Sequence, residues 1–206
     1  MEGTGSLIGH IALKNMSGEH PRLHAKNLDK KLGFKIPKIE VKLLQKFRAY
    51  DQQNDVSSRK QHFEGSQVWI GLHPQALQTP YCDIYEALSI LKFDIDHIVD
   101  IGAGYGRVGI VSSVLYPGAK FTGYEIVKQR QAEGNRIFKK WGISNAFIKL
   151  ENVLQDGFEI PEANIYFIYD FSQEEDINKV LRKLSLKAQK NFFLITKGDR
   201  VDYLMK

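Results

Sequence analysis

The stretch VDIGAGYGRVGI, from Val99 to Ile110, constrains this chain more than any other part of it. His97 to Ile101 is a short β-branched run, too brief for a helix and bounded by glycine, and it reads as a buried strand. Gly102, Gly104 and Gly106 follow in the turn, and an apolar helical segment runs on from there to about Tyr116. Glycines in such a turn permit unusual dihedrals and let backbone approach a ligand with no Cβ in the way. The free amides that open the next helix favour an anionic group.

The remaining segments repeat the pattern. Pro117-Gly118 ends the first helix, and AKFTGYE (Ala119 to Glu125) reads as a second strand. Val127 to Trp141 reads as a helix closed by Gly142, and AFIKL (Ala146 to Leu150) as a third strand. NIYFIYD (Asn164 to Asp170) is a fourth strand, Ile177 to Leu184 a helix, and NFFLIT (Asn191 to Thr196) a fifth strand. Strands and helices alternating at these lengths imply an α/β class, with an open, doubly wound, mostly parallel sheet covered on both faces. Ligands in such sheets bind at the carboxyl ends of the strands, near the switch in strand order. Ile101, Glu125, Leu150 and Asp170 mark those ends.

Charge divides the chain differently. Residues 1–60 carry 12 Lys or Arg against 6 Asp or Glu, whereas residues 61–206 carry 17 against 18. The first 65 residues read as a basic, partly disordered arm, and residues 66–206 as the ligand-binding domain. Residues 1–35 show little periodicity and are expected to order poorly. Ile39, Leu43, Leu44 and Phe47 then recur at helical spacing, with Lys38, Lys42 and Lys46 on another face, which predicts a helix near 37–50. Residues 51–66 read as a polar linker, and Pro80 opens a further helix carrying Ile84, Leu88 and Leu91. The basic arm suggests an acidic partner such as nucleic acid or nucleoprotein, or a solvated face with snorkelling lysines.

The single cysteine, Cys82, excludes an internal disulfide framework and favours a reducing, cytoplasmic setting. No stretch approaches ~18 apolar residues, so no membrane span is expected. The six histidines have no metal-ligand spacing, so no metal site is expected.

Gly104, Gly106 and Gly109 also satisfy a dinucleotide GxGxxG. Two features favour a different ligand. Asp100 precedes the first glycine by two residues, and a carboxylate there suits a cofactor with an ammonium group better than a pyrophosphate. About 80 residues follow Glu125, little chain for the second domain of a dehydrogenase. Glu125, an acid ending the second strand outside the core, suits a ribose diol in either class.

From about Pro80 to Lys197 the chain resembles the class I, seven-strand methyltransferases that use S-adenosylmethionine. Within them it is most similar to the nucleosomal histone-lysine methyltransferases and their small bacterial and mitochondrial lysine-methylating relatives. The stretches that carry the resemblance are TPYCDIYEAL, VDIGAGYGRVGI, FTGYEIV, ENVL and NIYFIYDFSQEEDI. The resemblance implies a Rossmann-like sheet, here without the family's sixth and seventh strands, because KGDRVDYLMK has room for one short strand at most. It implies that Asp100, Gly102, Ala103 and Gly104 meet the methionine end of S-adenosylmethionine and that Glu125 holds the ribose. Asn152 stands where the family usually reads the adenine amino group with aspartate, and Asp156 is the second candidate for that contact. Tyr81 and Asp83 match a segment that folds over the cofactor, and Asp170, Phe171 and Ser172 a motif beside the transferring methyl.

A protein lysine is the acceptor that this resemblance implies. RNA, a small molecule, or a non-catalytic binding role are the alternatives. Tyr81, Tyr105, Tyr169 and Phe171 are candidates to hold a methylammonium by cation–π attraction. Asp170 is the candidate to orient or deprotonate the amine. The run Glu174, Glu175, Asp176 is expected to open its helix, where acids favour the dipole.

Overall fold

The β-branched and aromatic runs form strands where their pattern predicts them. In the computed structural model, which describes residues 9–53, 73–187 and 191–198, the strands are β1 (His97–Ile101), β2 (Lys120–Glu125), β3 (Ala146–Leu150), β4 (Ile165–Tyr169) and β5 (Phe193–Lys197). They pair in parallel in the order β3-β2-β1-β4-β5. Among the described residues, therefore, the sheet has five strands and reverses its winding between β1 and β4. The helices are α1 (His10–Leu13), α2 (Pro21–Leu32), α3 (Ile36–Gln53), α4 (Tyr81–Ser89), α5 (Arg107–Leu115), α6 (Lys128–Lys140) and α7 (Glu174–Lys187). Glu174, Glu175 and Asp176 occupy the first turn of α7, as expected.

Alternation along each strand divides the core. Ile98, Phe121, Ile148 and Phe167 meet α4, α5 and α6 on one face. Val99, Ile101, Tyr166 and Ile168 meet Ile177, Val180 and Leu184 of α7 on the other. Asp100 lies on the first face by this alternation, yet carries a charge where its neighbours are apolar. Gly109 of α5 allows that face to close, because a Cβ there would come within 2.7 Å of Phe138 and Phe121 ring atoms.

The N-terminal region departs from its expected disorder. Residues 10–13 and 21–32 are helical, and Leu13, Ala25, Leu28 and Leu32 belong to the same core as α4 and α5. Ala25, Leu28 and Leu32 are spaced at three and four residues, a helical stripe concealed by the polar residues between them. The helix predicted near 37–50 is present as α3, with Lys38, Lys42 and Lys46 exposed. Most of the linker reading, the 65/66 domain boundary and the stretch after Gly198 lie outside the described residues.

Two buried carboxylates fasten these helices to the sheet. Asp29 of α2 pairs with Arg107 at 3.3 and 2.5 Å, and also accepts hydrogen bonds from Tyr81 Oη (2.8 Å) and Gln75 Nε2 (3.1 Å). Glu40 of α3 accepts from Arg130 at 2.8 and 3.0 Å and from Tyr105 Oη at 2.7 Å. The α2–α3 connection is held against α6 by Lys35 N–H to Glu133 (2.6 Å) and by Trp141 Nε1 to the Leu32 carbonyl (3.0 Å). No helix among the described residues is long and apolar enough to cross a membrane.

Removing one partner of a buried ion pair leaves the other uncompensated, at a cost of about 3–5 kcal/mol. Asp29→Ala is therefore expected to lower the unfolding free energy in urea by about that amount. Replacing Asp29 and Arg107 together with leucine is expected to cost less than the single change.

Candidate active site

The carboxyl end of β1 and the loop after it form the floor of a cleft of about 570 Å³. Gly102 and Ala103 each donate a backbone N–H to the Tyr124 carbonyl, at 3.0 and 2.9 Å, which pins the loop against the end of β2. Gly102 has φ +79°, and a Cβ there would lie 2.5 Å from Cβ of Phe171, so glycine is required both by the backbone and by its neighbour. Gly104 differs: its φ is +55° and nothing lies within 4 Å of where a Cβ would stand. That open space faces the cleft, which Gly104 helps to line.

Glu125, at the end of β2, is 6% exposed. Its carboxylate accepts the Gly104 N–H at 2.8 Å and the Val127 N–H at 2.7 Å, tying the glycine loop to the start of α6. Each carboxylate oxygen retains a second lone pair, so a diol can still be bound. The strand-end acid is thus structural as well as ligand-facing, a correction to its expected place outside the core.

Asp100 is 4% exposed, and no hydrogen-bond donor among the described residues reaches its carboxylate. Burial, then the negative charge of Glu125, push it up to about 8. A nearly buried acid with no donor, beside a second acid, calls for a cation from outside the protein.

Of the sequence candidates, the fold brings Gly102, Gly104, Glu125, Asn152, Asp170 and Phe171 together on the cleft wall. Ala103, 7% exposed, and Asp100 lie in the loop and strand that form its floor. Asn152 accepts the Leu154 N–H at 3.0 Å, an Asx turn that fixes its side chain. Tyr169 joins the wall and donates through its hydroxyl to the Ala76 carbonyl (3.0 Å). The backbone N–H of Asp170 donates to the Lys197 carbonyl (3.1 Å). Gly198, with φ +119°, leaves room for that acid, because a Cβ there would lie 2.3 Å from the Asp170 carboxyl carbon.

Other candidates are elsewhere. Tyr81 is fully buried, donates to Asp29, and stacks beneath the Arg107 guanidinium at 4.9 Å. Burial, then the Asp29 carboxylate, hold its phenol well above its ordinary value, so it stays protonated. Tyr81 does not line the cleft, which corrects its assignment as a catalytic residue. Tyr105 is likewise buried against Glu40. Asp156 is fully exposed beside Lys179 at 3.5 Å, away from the cleft wall. Asp83 pairs with Lys197 at 2.6 Å, and Ser172 Oγ bonds the Asp176 carboxylate. Arg22, Ala76, Leu77, Arg130 and Lys197 also line the cleft, and sequence reasoning missed them. Arg22 alone carried a local signal, a cation in the first turn of a helix.

No family model matches the chain. It is 31% identical over 131 residues to a ribosomal RNA small subunit methyltransferase G of Brachyspira hyodysenteriae. That match covers 60% of this chain, which spans 59% of the relative's length. Among solved structures it is similar to a precorrin-6y C5,15-methyltransferase from Geobacter metallireducens, with a TM-score of 0.50 and 25% identity over 63% of this chain and 68% of the other. Five parallel strands in this order, with helices on both faces, are the Rossmann-like fold of class I methyltransferases.

Two outcomes follow from the floor of the cleft. Glu125→Ala is expected to weaken binding of an adenosyl ligand and to lower stability by about 1–3 kcal/mol, since it strands two backbone donors. Calorimetric titration and urea unfolding of one preparation measure both. For Asp100, a pKa raised on folding means that stability is lost as pH rises, beginning above the unfolded value near ~4 and complete once pH passes about 8. The melting-temperature difference between Asp100→Asn and wild type is therefore expected to grow in favour of the variant across that window and to level off above it.

Proposed function

We propose that this protein is an S-adenosylmethionine-dependent methyltransferase whose acceptor is an amine, a protein lysine in the first reading. The observation that carries it is the cleft floor. A glycine loop with open space at Gly104, a donor-poor acid at Asp100 and a carboxylate at Glu125 suit the methionine ammonium and ribose of that cofactor. Bound there, S-adenosylmethionine supplies an electrophilic methyl group. A dinucleotide fits less well, because the buried charge beneath the loop is negative where a pyrophosphate needs donors and cations.

The protein's task is alignment. Gly102 and Gly104 bring backbone against the methionine end, Glu125 accepts from the ribose hydroxyls, and Asn152 fixes the adenine side. Asp170 stands at the end of β4, across the strand-order switch from Asp100. From there it accepts a proton or hydrogen bond from an incoming amine, leaving the nitrogen lone pair free for in-line attack. Tyr169 and Phe171 flank it and attract a cationic amine through their ring faces. Asp170 supports the amine reading, since a carboxylate placed at the acceptor end suits a group that must shed a proton.

RNA is the second reading, supported by the ribosomal RNA methyltransferase relative and by the lysines exposed on α2 and α3. A cytoplasmic setting, inferred from the lone cysteine, accommodates either acceptor.

The test is a cell extract incubated with cofactor labelled in its methyl group and with wild-type protein or Asp170→Ala. Label in protease-sensitive material is the expected result, and label removed by ribonuclease instead moves the assignment to RNA. Asp170→Ala is expected to lower the transfer rate by about 10²-fold or more with cofactor affinity unchanged. Equal rates in the two proteins remove Asp170 from the chemistry.

A further inference from the structure

Three cationic side chains line the cleft, and two of them are committed within the protein. Arg130 is held by Glu40 at 2.8 and 3.0 Å, and Lys197 by Asp83 at 2.6 Å. Arg22 is exposed, and its guanidinium has no partner among the described residues.

Its position is also one that helix formation disfavours. Arg22 follows Pro21 at the start of α2, and its backbone N–H donates to His20 Nδ1 at 3.3 Å. A cation in the first turn opposes the helix dipole, and that turn has no acid to offset it. A residue that breaks a local rule without compensation inside the fold points to a role outside it. Nor is the residue loosely placed. Asp29, seven residues along the same rigid helix, is locked to Arg107, Tyr81 and Gln75.

The opposite wall supplies the complementary charge. Asp100 and Glu125 make the sheet end strongly negative, whereas Arg22 brings an unpaired positive fork from α2. A cleft with a donor-poor acid on one side and an unpaired guanidinium on the other matches a zwitterion, in which an ammonium and a carboxylate share one carbon. Guanidinium pairs with carboxylate through two parallel hydrogen bonds.

We propose that Arg22 binds the α-carboxylate of the cofactor's methionine moiety, so that the N-terminal helix completes the cofactor site. This rests on the cofactor reading above and adds to it a specificity-determining residue outside the matched methyltransferase segment.

The experiment is calorimetric titration of wild type, Arg22→Gln and Arg22→Lys with three probes. These are S-adenosylhomocysteine, its decarboxylated analogue, and 5′-methylthioadenosine, which lacks the amino acid altogether. Arg22→Gln is expected to weaken S-adenosylhomocysteine by about 10- to 100-fold, the worth of a charged hydrogen bond, and to leave both truncated probes unchanged. Arg22→Lys is expected to recover part of the loss, because it keeps the charge without the fork. Equal weakening on all three probes, or none on S-adenosylhomocysteine, overturns the assignment; the latter would return Arg22 to the acceptor side. If wild type binds S-adenosylhomocysteine and Arg22→Gln binds it equally well, only the arginine assignment fails. If wild type binds none of the three probes, the cofactor reading fails as well.

Discussion

A buried arginine has to be met by a buried anion, and that requirement joins the N-terminal helices to the sheet. Arg107 immediately follows the last glycine of the loop and is 3% exposed. Left alone there, its charge would cost several kcal/mol. Asp29 of α2 removes that cost, and Gln75 and the Thr79 carbonyl take up further donors of the fork. A second set, Glu40 with Tyr105 and Arg130, repeats the device on the other side of the loop. The glycine loop is therefore gripped at both ends by carboxylates contributed from α2 and α3. Its geometry depends on helices that precede it by more than fifty residues.

This explains which parts were legible in the sequence. The strand, loop and helix from His97 to Leu115, and the acid ending β2, are local patterns whose meaning survives without the rest of the chain. Strand order followed too, because alternating short strands and helices leave few parallel arrangements. Tyr81 shows where reading along the chain stops. Its place in a segment resembling a cofactor lid was clear, but its destination was set by Asp29 and Arg107, 52 and 26 positions away. Nothing in the TPY segment encodes those partners. α2 was missed for a related reason, since its apolar stripe is only three residues wide and its mean character is polar.

The site candidates divide along the same line. Gly102, Gly104, Glu125, Asn152, Asp170 and Phe171 sit at strand ends or in the turns just after them, and a parallel sheet must bring strand ends together. Glu125 turned out to carry two functions, because a carboxylate has more lone pairs than one ligand contact uses. Arg22 and the Ala76-Leu77 wall come from outside the strand-helix alternation, where no register fixes position.

The vacancy at Gly198 has a consequence for how this site can change. The Asp170 carboxyl occupies volume that any other residue at 198 would claim with its first side-chain carbon. The two positions are thus a single steric unit spanning adjacent strands. Asparagine, the same size as aspartate, can enter at 170 without disturbance. A longer acid would have to direct its extra methylene elsewhere, because the space beneath it is already filled to contact distance. Drift at 198 is equally closed while the acid remains. The acceptor end of the cleft can then diversify through Tyr169, Phe171 and the N-terminal wall, whereas its charge stays where the missing methyl group permits it.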